Sequence, residues 1–118
     1  MLTEKDYCDY ETCVALEELG FPLHPYGNTE IDTSLRLTLL LYDAQKWLRE
    51  EKKIIIEATF SLIYKGQPRF DWRVLYNLTQ CKGSYYTFDS VKSKEDYDFY
   101  EEALSEGIKE AVKILKGK

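Results

Sequence analysis

Few side chains in this 118-residue chain could carry chemistry, and they are scattered. His24 is its one histidine, and Cys8, Cys13 and Cys81 are its three cysteines. An imidazole, with a reference pKa of about 6.5, suits proton transfer near neutrality. A general base also needs an orienting group and a place for substrate, and His24 stands between Leu23 and Pro25 with no partner in view. The three thiols and His24 would meet the ligand count of a zinc site, but the gap from Cys8 to Cys13 does not match a knuckle and Cys81 has no close neighbour of the right type. Reduced, buried thiols are the simpler expectation. With no glycine-rich phosphate loop and no nucleophile motif, no catalytic, cofactor-binding or metal-ligating residue is assigned.

The remaining candidates sit on alternating segments. Glu57 and Asp71 fall on the outward positions of two adjacent expected strands, a placement that could support a pair of acid and base carboxylates. Arg69 and Arg73 nearby make ordinary cross-strand ion pairs the better account. The same outward positions mix Arg73, Thr59, Asn77 and Tyr86 with Leu75, Ile55 and Ile63, and interfaces favour such mixtures of aromatic, arginine and aliphatic side chains. The candidate binding surface is accordingly Arg69, Arg73, Leu75 and Tyr86.

The elements that must position these residues follow from periodicity. After Lys52-Lys53 the period is two. Ile54, Ile56, Ala58, Phe60, Leu62 and Tyr64 fall on one face, and Ile55, Glu57, Thr59, Ser61 and Ile63 on the other. Lys65-Gly66-Gln67-Pro68-Arg69 reads as a turn, and Phe70 to Thr79 alternates again, so the pair is an antiparallel hairpin. A short aromatic strand, Tyr85 to Phe88, completes a meander. Asp9 and Gly20 bracket a first helix. Leu40, Leu41, Ala44, Trp47 and Leu48 mark the apolar side of a second helix, favoured from about Thr38 although Leu35 to Leu39 also alternates like a strand. Ser93 and Asp96 form a capping-box variant ahead of a third helix, whose apolar stripe runs through Tyr97, Tyr100, Leu104, Ile108, Ala111, Val112 and Leu115. Between the first two helices, Phe21 to Ser34 reads as a long loop. The expected fold is one α+β domain over 1–118, with strands at about 53–64, 70–79 and 85–88 packed against helices at about 10–19, 38–51 and 94–116.

Composition bounds the function. The chain is 44% hydrophobic with ten tyrosines, enough for a core. It lacks the basic start and apolar run of a secretory signal, and its longest apolar run falls far short of the ~20 residues of a membrane span. A cytoplasmic location with no membrane association is expected. A net charge of −5 disfavours indiscriminate binding to nucleic acid. That charge is uneven, with −6, +4 and −3 over 1–41, 42–94 and 95–118, so a small nucleic-acid binder using the basic middle remains the alternative. From residue 35 onward the order helix, three strands, helix resembles the double-stranded RNA-binding fold, but Glu95, Asp96 and Asp98 stand where such a binder would want lysines.

Three phrases carry a second resemblance. Asp9-Tyr10-Glu11-Thr12 through Leu19-Gly20-Phe21, then Tyr42 to Glu50, then Tyr100 to Leu104 with Gly107 to Ala111, together resemble small uncharacterised proteins of gut Bacteroides genomes and their prophages. The resemblance implies a bacterial or phage-derived accessory protein and assigns no residue a role. The function expected from the sequence is a noncatalytic interaction module. It would bind a protein partner or a second copy of itself through the outer sheet face or the Phe21 to Ser34 loop. An enzyme of unnamed reaction is the least supported reading.

Overall fold

Asp9 starts α1 (Tyr10–Glu18) as expected: its carboxylate accepts the Thr12 backbone N–H at 2.8 Å, filling one of the donors a helix start leaves open. The end follows glycine chemistry. Gly20 takes φ +109°, its N–H reaches Glu17 O, and the N–H of Phe21 reaches Leu16 O, the paired bonds of a Schellman ending. Phe21 then sets its ring edge-on against Trp47 at 5.1 Å, which ties α1 to α2 (Leu41–Glu51). The computed structural model describes residues 6–22, 40–80 and 86–117. The loop beyond Pro22, His24, residues 35–39 and Cys81 lie outside the described residues.

Three antiparallel strands follow, β1 (Ile55–Tyr64), β2 (Gln67–Gln80) and β3 (Tyr86–Lys92), in the order β1-β2-β3, and α3 (Tyr100–Lys116) closes the chain. This is the expected α+β meander, with α3 packed on β1 and β2. Ile56, Ala58, Trp72 and Val74 from the sheet, with Ile54 just ahead of β1, meet Leu104, Ile108, Ala111 and Val112 from α3, and Leu16, Leu41, Ala44 and Leu48 complete the core from the other helices. The helices α1 and α3 lie side by side. Lys109 pairs with Asp9 at 3.0 Å at one end, and Lys116 pairs with Glu18 at the other.

Four details differ from the sequence expectation. The hairpin turn is the two residues Lys65-Gly66, both at positive φ (50° and 79°), because this mirror-image turn matches the twist of the flanking strands. Second, β1 carries an extra residue at Ser61: Phe60 pairs with Phe70, but Leu62 pairs with Arg69. The bulge inverts the alternation, so Leu62 and Tyr64 join the outer face of Arg69 and Arg73, and Ile63 joins the helix side. Third, β3 runs to Lys92, with a second bulge in β2 after Tyr76, where Asn77 adopts φ 53°. Last, α3 begins at Tyr100, not near residue 94. Ser93 Oγ accepts the Trp72 N–H at 3.2 Å, and Tyr97 exchanges both backbone hydrogen bonds with Phe70 at 2.8 and 2.6 Å. These bonds hold 93–97 against β2 and leave nothing of the expected capping box.

Asp9 sets a first prediction. Burial raises its carboxyl, but the Thr12 hydrogen bonds and Lys109 outweigh that and leave it below its ordinary value of 3.8. A carboxyl lowered on folding stabilises the chain above the unfolded pKa and loses that contribution as the pH falls through the folded value. Asp9→Ala should cost about 1 kcal/mol at pH 7 in urea denaturation, and the gap to wild type should close as the pH drops below about 4. A gap that is constant with pH would contradict the assignment.

Candidate interaction surface

The first half of the β1–β2 hairpin lies under α3, and the second half extends past it. Ile56 and Ala58 are buried, whereas Phe60, Leu62, Ile63 and Tyr64 expose 58, 43, 67 and 58% of their surface. Single exposed hydrophobics are ordinary, but here four large ones lie within five residues, Phe60 and Ile63 on the helix side of the tip and Leu62 and Tyr64 on its outer side, and such concentrated apolar exposure marks a contact site. Sequence alternation places Phe60, Leu62 and Tyr64 in the core. The bulge and the reach of the hairpin beyond α3 place them on its surface.

Beside this tip, the outer sheet face is polar and internally paired. Arg73 donates from Nε and Nη2 to Glu57 at 2.9 and 2.6 Å, Thr59 donates to Asp71 at 2.7 Å, and Asn77 donates to Asp89 at 2.8 Å. Glu57 and Asp71 are therefore partners within a cross-strand network and do not face one another across a cleft. Arg69 holds Asp96 through Nε at 3.0 Å and Nη2 at 2.9 Å, and binds the Asp98 carboxylate through Nη1. The Asp96 hydrogen bond is the leading reason its guanidinium is raised above the ordinary value. A small cleft of about 320 Å³ lies where Leu62, Tyr64, Arg69 and Asp96 meet.

The four residues singled out in the sequence are thus placed as follows. Arg69, Arg73 and Leu75 share the outer face of β2, with both arginines engaged by carboxylates and Leu75 only 7% exposed. Tyr86 opens β3, opposite Gln80. The apolar tip beside them was missed. A run of large side chains continuing past the length of any helix that covers it is the signal that could have found it.

The remaining chemistry-bearing groups are quiet. Cys8 and Cys13 are buried thiols, and the Cys13 thiol beside it, together with burial, pushes the Cys8 thiol well up, so that it stays protonated. Among the described residues no group of three His, Cys, Asp or Glu side chains is placed to hold a metal. A cleft of about 230 Å³ is lined by Tyr7, Asp9, Tyr97, Glu101, Glu102 and Glu106 among others, and Lys109 bridges Asp9 and Glu106 at 3.0 Å each. Among the described residues no helix is long and apolar enough to cross a membrane.

No family model, curated protein or solved structure matches the chain.

Proposed function

We propose that this chain is a noncatalytic protein-interaction module, cytoplasmic and of bacterial or prophage origin, whose contact surface is the tip of the β1–β2 hairpin. The observation that carries this reading is the cluster Phe60, Leu62, Ile63 and Tyr64, left open to water at the end of the hairpin beyond α3. Aromatic and aliphatic anchors with an arginine at their border are the composition of interface centres. The pairing of Arg69 and Arg73 with carboxylates supports a protein partner over a phosphate backbone, because their charge is already countered within the sheet.

Ile63→Glu tests the reading. An exposed position should accept the charge within about 0.5 kcal/mol of wild-type stability. Circular dichroism and the melting temperature should therefore hold, while association is lost in gel filtration of both the pure chain and the native extract. A variant that elutes like the wild type in both would overturn the proposal.

A further inference from the structure

We infer that Cys8 and Cys13 close to a reversible disulfide under a small hydroperoxide, forming a covalent latch across the first turn of α1. This site stands apart from the hairpin tip and does not depend on the tip being an interaction surface.

The start of α1 brings the two sulfurs together. With Asp9 as the N-cap, Cys8 is the residue just before it and Cys13 is the fourth residue of the helix. At these two positions apolar side chains commonly clasp one another and fix the angle at which the chain enters a helix. In this chain both members of the clasp are thiols. Cys13 N–H donates to Asp9 O at 3.0 Å, and the Asp9 carboxylate holds the Thr12 N–H, so the turn between the two cysteines is fixed. Cys13 Sγ donates to Cys8 O at 3.8 Å, and the Cys8 thiol donates to Cys13 Sγ. Both side chains belong to the core cluster, which keeps the sulfurs in contact. Disulfide formation asks them to close from hydrogen-bond distance to about 2 Å.

The two thiols are not equivalent. The hydrogen bond from Cys8 leads the effects on the Cys13 thiol and holds it below its ordinary value, against the opposing pull of burial. Cys13 also keeps 5% of its surface open, whereas Cys8 has none. A thiol with more thiolate character and some access is the one oxidised first, and a second thiol beside it resolves the product. Cys13 is therefore the attacking sulfur and Cys8 the resolving one. The narrow opening admits an oxidant little larger than water and excludes a peptide disulfide.

The steps balance with hydrogen peroxide as the oxidant. The Cys13 thiolate attacks one peroxide oxygen, an S–O bond forms, the O–O bond breaks, and the released hydroxide takes up the proton lost by Cys13 and leaves as water. Cys8 sulfur then attacks the sulfenic sulfur of Cys13. The S–S bond forms, the S–O bond breaks, and the departing oxygen takes the Cys8 proton to leave as a second water. The two thiols lose two electrons and two protons, and the peroxide is reduced to two waters. A reducing thiol reverses the bond by exchange, as expected of a transient cytosolic disulfide.

The test is peroxide treatment of the purified full chain, followed by trypsin digestion and mass spectrometry. Cys8 and Cys13 share the tryptic peptide 6–36, whereas Cys81 falls in 74–82. The 6–36 peptide should lose two hydrogens and regain them with dithiothreitol. The bond closes a loop of six residues, so the oxidised chain should melt roughly 5–10 °C above the reduced one. In Cys8→Ser the reaction should stop at the Cys13 sulfenic acid, trapped by dimedone as an adduct on 6–36, and in Cys13→Ser that peptide should stay unmodified. A wild-type 6–36 peptide that keeps both hydrogens while glutathione in the same tube is oxidised would overturn the inference. So would a link from this peptide to 74–82 in place of the internal bond, or an oxidised chain that melts below the reduced one. A dimedone adduct on Cys13→Ser would overturn the assignment of Cys13 as the attacking sulfur.

Discussion

Gly107→Ala should lower the stability of this chain by roughly 2 kcal/mol, although alanine is the better helix former by about 1 kcal/mol. Gly107 lies on the buried face of α3, where a Cβ would come 2.8 Å from Ile56 Cγ2 and 3.3 Å from Trp72 Cβ. Neither neighbour can swing aside. Cγ2 is fixed to the branched Cβ of a buried strand residue, whose side-chain torsion is stiff, and Trp72 Cβ moves only with β2. Helix and sheet must separate to admit the methyl, loosening the contacts of Leu104, Ile108 and Ala111 on the same face. Urea denaturation should show a lower midpoint with an unchanged slope. In an Ile56→Ala background the same substitution should cost much less, since the obstructing carbon is gone. Equal costs in the two backgrounds would mean that the close approach does not set the effect.

Leu104→Ala should cost about 3 kcal/mol, within the 2–5 kcal/mol range of leucine truncation in well-packed cores. Leu104 is fully buried in the cluster that joins α3 to the sheet, so neither solvent nor a mobile neighbour can fill the space. Against a total stability of roughly 5–15 kcal/mol for a domain of this size, that is a large fraction. Leu62→Ala provides the contrast: its side chain is already partly in water at the hairpin tip, and its removal should cost under about 1 kcal/mol. Comparable losses at the two sites would place the tip inside the folding core and remove the basis for an interaction surface there.

The parts of the fold that were legible in the sequence are those set by local chemistry. Asp9 and Gly20 bracket α1 because capping and positive φ are properties of single residues. The α3 stripe from Leu104 to Val112 and the alternation from Ile54 to Ala58 are periodic, and a period survives any choice of partner. What was not legible depended on contacts distant in sequence. Ser93 and Asp96 carry a local capping pattern, yet Trp72 takes the hydroxyl and Arg69 takes the carboxylate, 21 and 27 positions away. The bulge at Ser61 has no composition signature, so alternation assigned Leu62 and Tyr64 to the wrong face. The candidate surface was legible only in part: Arg69 was singled out, but its two aspartate partners and the bare apolar tip beyond it depend on where α3 ends.

The extra residue in β1 makes the character of the hairpin tip a matter of counting. Up to Phe60 the strand obeys one parity, and from Leu62 it obeys the other. Adding one residue to β2 between Arg69 and Phe70 would give Ser61 a partner and restore a single parity from Ile56 to Tyr64, carrying Leu62, Tyr64 and Arg69 to the helix side and Ile63 to the opposite one. Every large side chain would remain, and the molecule would show a different face to its surroundings. A change in chain length by one residue thus rewrites what the tip presents, an outcome that no single exchange of one amino acid for another can produce.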